Sequence, residues 1–212
     1  EALPQILPTE DKEVADELSK IFIKRGIKIL TETFVDSVKD KGKLVEVKLK
    51  SGERINADYA LVAVGVQSNI ENLGLEKVGV KTDKGSISVN EFLQTNVKNI
   101  YAIGDVAGPP MLAHKASEEG IIAVEKIADK NPTPMTYDNI PGCVYSHPEV
   151  ASVGLTEQQA KEEGKEIKIA RFPWAASGRA TTVDQNDGLT KMIIDPQNDR
   201  ILGVGIAGTN AG

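Results

Sequence analysis

Apolar residues recur at helical spacing near the N-terminus, where Val14, Leu18, Ile21 and Phe22 fall on one face of the segment 9–26. Thr9 can cap its exposed N–H groups, Glu10 and Asp11 suit the positive end of the helix dipole, and Gly26 stands where a helix would stop. A two-residue alternation follows at 44–50: Val45, Val47 and Leu49 alternate with Glu46, Lys48 and Lys50, the pattern of a half-buried strand. Asp40-Lys41-Gly42-Lys43 supplies the turn that joins it to a strand at 34–38, and another short strand is expected at 27–30. The run Tyr59-Ala60-Leu61-Val62-Ala63-Val64-Gly65 is continuously apolar, as in a strand buried on both faces of a parallel sheet. Ile100-Tyr101-Ala102-Ile103-Gly104-Asp105 is a second such run, with polar chemistry at its carboxyl end. A helix over about 112–129 is then expected to pack Ala116, Gly120, Ile121, Val124, Ile127 and Ala128.

Strand, Gly-Asp loop, helix is the local grammar of a doubly wound α/β nucleotide-binding fold. Asn131-Pro132-Thr133-Pro134 breaks that grammar and marks a domain boundary. Beyond it the pattern changes to α+β with an antiparallel sheet, with strands expected at 150–153, 167–172, 189–194 and 201–206. Thr156-Glu157-Gln158-Gln159 has the form of a capping box opening a short helix that Gly164 closes.

Composition adds mainly exclusions. Of 212 residues, 40% are hydrophobic and 26% charged, and the net charge of −6 leaves no basic footprint for nucleic acid or an anionic membrane. No apolar run approaches the roughly 20 residues that span a bilayer, so no membrane partner is expected and a cytoplasmic location is. One cysteine, Cys143, excludes an internal disulfide, and with only His114 and His147 beside it no metal site is expected. The chain begins at Glu1 rather than methionine and ends at Thr209-Asn210-Ala211-Gly212 without a terminal element, which reads as a piece of a longer protein.

Candidate chemistry gathers at 104–114. A carboxylate at the mouth of a parallel strand lies where doubly wound folds bind nucleotides, and Asp105 could accept hydrogen bonds from ligand hydroxyls. Gly104 before it permits close approach. Capping a turn is an equally good role for Asp105 at this level. Met111-Leu112-Ala113-His114-Lys115 opens the next helix, whose free N–H groups and positive dipole end suit an electron-rich group. Gly65, ending the earlier run, serves either a ligand or a turn. Cys143 reads as an inert buried residue, and Ser146, His147 and Glu149 are too close in an extended segment to form a triad. Gly203-Val204-Gly205-Ile206-Ala207-Gly208 matches G-x-G-x-x-G in letters but falls in the strand expected at 201–206 and opens no helix, so it is no dinucleotide loop. A Walker A loop and a spaced cysteine pair are absent from the sequence. The reactive groups of such an enzyme are therefore not in this chain, and no catalytic residue is assigned.

Tyr101-Ala102-Ile103-Gly104-Asp105-Val106, followed by Met111-Leu112-Ala113-His114-Lys115-Ala116 and Glu118-Glu119-Gly120, resembles the second flavin-binding motif of the pyridine nucleotide–disulfide oxidoreductases. The 111–116 form resembles the branch that oxidises dihydrolipoyl groups more than the glutathione or mercuric reductases. His147-Pro148-Glu149-Val150-Ala151-Ser152-Val153-Gly154-Leu155-Thr156-Glu157 and the stretch 203–212 resemble the family's interface domain. The resemblance implies FAD and NAD as cofactors. It places the ribityl hydroxyls on Asp105, with Gly104, Met111, Leu112, Ala113 and His114 along the flavin. It places the adenosine ribose of NAD on Glu1, adenine at Val35 and the nicotinamide half near Gly65. The family's Gly-Arg-x-Pro-Asn stands here as Gly65-Val66-Gln67-Ser68-Asn69, without the arginine and proline.

The implied organisation is an NAD-domain portion at 1–66, a returning FAD-domain portion at 67–138, and a dimerisation domain at 139–212. The implied enzyme is an NAD-dependent homodimer serving a lipoyl-bearing acyltransferase or carrier protein. A sister disulfide reductase is the alternative, as is a non-catalytic dimerisation module for the chain by itself.

Overall fold

The computed structural model describes all 212 residues. Helix α1 (Lys12–Lys24) is capped by Asp11, whose Oδ1 accepts the Glu13 N–H at 3.0 Å. The helix therefore starts later than a Thr9 cap implies, because Asp11 is the residue with its carboxylate placed over the first free amides. Val14, Ala15, Leu18 and Ile21 form its buried stripe. Strands β1 (Val35–Asp40), β2 (Val45–Leu49) and β3 (Arg54–Ala57) make a three-stranded antiparallel sheet in that order. The hairpin between β1 and β2 is closed by the Gly42 N–H donating to Asp40 Oδ1 at 2.7 Å.

Two apolar runs expected as strands do not become strands. Residues 59–65 make no ladder, and Tyr59, Leu61 and Val64 are 90%, 92% and 92% exposed. Residues 27–30 likewise remain outside any sheet. Strand composition is present in both, but a strand exists only where a neighbouring segment satisfies its backbone groups in a ladder. Residues 59–65 have no such neighbour, and 27–30 receive only the Glu1 amino group, which donates to the Leu30 carbonyl at 3.0 Å. The run at 100–105 pairs only at its start, through a bridge from Tyr101 to Gln94, before turning. Every ladder in the structure is antiparallel, so the parallel sheet expected of the doubly wound part is not formed within this chain.

The region 63–140 is one compact unit. It holds a short helix α2 (Leu75–Val78), a small hairpin of β4 (Thr82–Asp83) and β5 (Ser86–Ile87), and helix α3 (Ala113–Ile127). Val80, Ile87 and Ala102 form one core cluster; Leu93, Ile122 and Ala123 form another. The packed face of α3 differs from the one its apolar residues foretell. Lys115, Glu119, Ile122 and Ala123 are buried, while Ile121, Val124 and Ile127 are exposed.

The other compact unit joins 1–62 with 141–212. Its five-stranded antiparallel sheet comprises β6 (Gly142–Val144), β7 (Glu149–Gly154), β8 (Lys168–Pro173), β9 (Leu189–Ile194) and β10 (Ile201–Gly208), in the order β6-β7-β10-β9-β8. Helix α4 (Glu157–Glu162) carries the capping box of Thr156 and Gln159, and α5 (Gly178–Thr182) precedes β9. Helix α1 lies on this sheet, with Val14 and Leu18 meeting Val150 and Ala207 in a common core.

Candidate functional site

Ile103 is extended and delivers the chain into a single 3₁₀ turn, Gly104–Ala107. Gly104 has φ +72°, and a Cβ there would lie 3.2 Å from the Cβ of Ala116 on α3. Glycine is thus required twice, for the left-handed backbone and for the close approach of turn to helix. The Gly108 N–H donates to the Asp105 carbonyl at 3.1 Å and closes the turn.

Two charged side chains of α3 grip this turn. Lys115 Nζ donates to the Gly104 carbonyl at 3.1 Å and the Gly108 carbonyl at 2.8 Å, while Glu119 Oε2 accepts the Gly104 N–H at 2.7 Å. The pair is joined at 3.2 Å, and each side chain is 1% exposed. Tyr137 donates its hydroxyl to Glu119 Oε1 at 2.8 Å. Burial, helped by the neighbouring carboxylate, pushes the Tyr137 phenol up to about 12. From the segment after Gly65, Ser68 donates its hydroxyl to the Asp105 carbonyl at 2.6 Å.

The Asp105 carboxylate itself has no protein partner and is exposed, and no side chain caps the N-terminus of α3. Ala113 precedes the first helical hydrogen bond, from the Ala116 N–H to the Leu112 carbonyl. Met111 and Leu112 are half-buried, and Ala113 and His114 are exposed. The structure therefore ties Gly104 and Asp105 to the opening of α3, and the six candidate flavin residues occupy one unit. What the arrangement offers is a free carboxylate as hydrogen-bond acceptor beside the positive end of a helix.

Glu1 and Val35 belong to the other unit. The Glu1 carbonyl accepts the Thr33 N–H at 2.9 Å, and its carboxylate accepts the Leu3 N–H at 2.8 Å. Val35 opens β1 two residues beyond Thr33, with its side chain exposed. Gly65 lies in the 63–140 unit with φ +121° and open space where a Cβ would be. Ser146, His147 and Glu149 have separate partners: Ser146 Oγ donates to the Pro148 carbonyl, the His147 carbonyl accepts from Arg25, and Glu149 accepts the Gly212 N–H. Cys143 is a half-buried free thiol in β6, and no three His, Cys, Asp or Glu side chains converge as metal ligands.

Sequence reasoning missed Ser68, Lys115, Glu119 and Tyr137 as parts of the site. Lys115 and Glu119 stand four apart on a helix, a spacing that usually marks a solvated surface pair. Nothing in the sequence signals that Tyr137 reaches Glu119.

Comparison with known proteins gives a consistent result. Residues 1–120 match the pyridine nucleotide-disulphide oxidoreductase family, and residues 140–212 match that family's dimerisation domain. A dihydrolipoyl dehydrogenase of Rhizobium etli is 48% identical over 98% of this chain and 44% of its own length. One of Zymomonas mobilis is 45% identical over 98% of this chain and 46% of its own length. Among solved structures, the HOCl-induced flavoprotein disulfide reductase RclA from Escherichia coli superposes with a TM-score of 0.91 at 27% identity, covering 100% of this chain and 49% of that one. LpdA from Mycobacterium tuberculosis gives 0.88 at 25% identity, covering 98% and 45%. The chain spans about half the length of the curated relatives it matches.

Proposed function

Because this chain belongs to the pyridine nucleotide–disulphide oxidoreductase family, we propose that the enzyme carrying it is an NAD-dependent dihydrolipoyl dehydrogenase. The overall reaction converts a dihydrolipoyl dithiol and NAD⁺ to the lipoyl disulfide, NADH and a proton. The observation that carries the reading is the unpartnered Asp105 carboxylate beside the uncapped start of α3, within the motif that matches the family. Those residues fit the ribityl chain and ring edge of FAD, which when bound supplies electron transfer between thiols and nicotinamide.

Asp105 accepts hydrogen bonds from ribityl hydroxyls, and Gly104 keeps the backbone close. Ala113 offers its backbone at the flavin edge, which Met111, Leu112 and His114 line. The dipole of the 15-residue α3 favours negative charge at that edge. On the NAD side, Glu1 accepts from the adenosine ribose, Val35 contacts adenine, and Gly65 leaves its backbone open to the nicotinamide half. A carboxylate at Glu1 repels a 2′-phosphate and so selects NAD over NADP.

In domain terms, 1–66 belong to the NAD domain, 67–138 to the FAD domain and 139–212 to a homodimerising domain. The redox disulfide and its base are supplied by residues outside this chain, whose single cysteine is Cys143. The substrate partner is a lipoyl-bearing acyltransferase or carrier protein. No helix is long and apolar enough to cross a membrane, and we place the enzyme in the cytoplasm.

Steady-state turnover of the whole enzyme tests the reading. Reduction of NAD by dihydrolipoamide, with NADP a poor acceptor, is the expected result. Turnover of glutathione disulfide or mercuric ion without dihydrolipoamide oxidation would assign a sister reductase instead. Asp105→Asn should weaken FAD binding by about 10–100-fold, the scale of a lost charged hydrogen bond.

A further inference from the structure

The backbone around Asp105 is held on both sides while its carboxylate is left free. Glu119 takes the Gly104 N–H, Lys115 takes the Gly104 and Gly108 carbonyls, and Ser68 takes the Asp105 carbonyl. One 3₁₀ turn has weak hydrogen-bond geometry of its own, and a left-handed glycine at its head adds conformational freedom. Left alone, such a turn would present its carboxylate in many directions. Burying a lysine and a glutamate carries a large desolvation cost, which a hydrophobic pair in α3 filling the same space would avoid. Their hydrogen bonds go to backbone atoms of this turn, with Tyr137 completing the Glu119 carboxylate. Ser68 stands where the family pattern has proline, which has no hydroxyl to give, and it is only 6% exposed.

We propose that Ser68, Lys115 and Glu119 are positioning residues that aim the Asp105 carboxylate at the ribityl chain of the flavin. This rests on the flavin reading above. Charge balance supports the division of labour, since Lys115 and Glu119 neutralise each other and leave Asp105 as the unpaired acidic group at the mouth of the turn.

The test measures FAD dissociation constants and visible flavin circular dichroism in the whole enzyme. Ser68→Ala should weaken FAD by about fivefold, as for one neutral hydrogen bond, and Glu119→Gln by at least about tenfold. Both should change the flavin dichroism. In an Asp105→Asn background, each should cost less than about twofold, because positioning has no effect once the positioned group is gone. Losses that stay fully additive on Asp105→Asn overturn the proposal and leave the network a purely structural one. Normal affinity in Ser68→Ala and Glu119→Gln, with a clear loss in Asp105→Asn, also overturns it while sparing the flavin reading. Unchanged affinity in Asp105→Asn overturns both. If Glu119→Gln does not fold, Ser68→Ala, which removes one hydroxyl, decides alone.

Discussion

Lys191 is 2% exposed, yet it is charged: its Nζ lies 2.9 Å from Asp11 Oδ1 and 2.6 Å from Glu157 Oε2. Burial by itself would lower its pKa, but the hydrogen bonds to Asp11 and Glu157 outweigh burial and raise it. Asp11 thereby does three jobs, capping α1, accepting the Glu157 N–H at 3.1 Å and pairing with Lys191. Lys191→Met should destabilise the 1–62/141–212 unit by about 3–5 kcal/mol in urea unfolding, because it leaves the buried Asp11 carboxylate without its cation, whereas Glu157 keeps Lys161. A cost under about 1 kcal/mol would mean that the Asp11 carboxylate finds water. Glu13 offers a pH test. The bidentate hydrogen bond from Arg171 lowers its pKa to about 2, with Lys191 assisting. A lowered folded pKa contributes stability that is present above the unfolded value of 4.5 and disappears as pH falls through about 2. The stability difference between wild type and Glu13→Gln should therefore shrink across that window, and a difference constant with pH would refute it. At this scale the turn at Gly104-Asp105 was legible, because a Gly-Asp pair ending an apolar run is common turn chemistry. Ser68 and Lys191 were not, since a serine or lysine reveals its partner only when a distant segment is folded against it.

Periodicity located most elements and misjudged some surroundings. The alternating segment at 44–50 became β2, the strand expected at 201–206 became part of β10, and the helix at 9–26 became α1. β3, the β4–β5 hairpin and β6 are too short to carry a period of their own. On α3 the apolar residues cover more than one face, so pattern alone could not select the packed one. The turn selected it, through Lys115 and Glu119. Packing between α1 and β10 depends on what is missing at Gly205, where a Cβ would come within 2.9 Å of Val14 Cγ2. Gly205→Ala should cost about 1–3 kcal/mol as overpacking. Adding Val14→Ala should recover part of that loss, a non-additivity expected of touching residues. Gly203→Ala should cost more than Gly205→Ala, because its Cβ would meet the Leu155 backbone oxygen, which cannot step aside as a side chain can. Equal costs at the two sites would contradict the packing argument.

At the scale of the molecule, the run 59–66 keeps strand composition without a strand. Tyr59, Leu61, Val64 and Val66 lie in the open beside unpaired backbone, a combination that favours self-association. The 212-residue chain made alone should bind a hydrophobic dye and sediment as mixed oligomers, and Leu61→Lys with Val64→Lys should reduce both. Unchanged association in that variant would shift the cause to the exposed Ile121, Val124 and Ile127 of α3. By itself the sequence determined the mixed α/β character, the antiparallel sheet of 141–212, the turn at Asp105 and its likeness to a flavin motif. Each of these is written in local periodicity, turn chemistry or a contiguous motif. Only the tertiary structure decided which runs find ladder partners, which face of α3 is buried, and that Ser68, Lys115 and Glu119 converge on one turn. Those outcomes depend on which segments meet, and hydrogen bonds across 37, 11 and 15 residues leave no periodic trace along the chain.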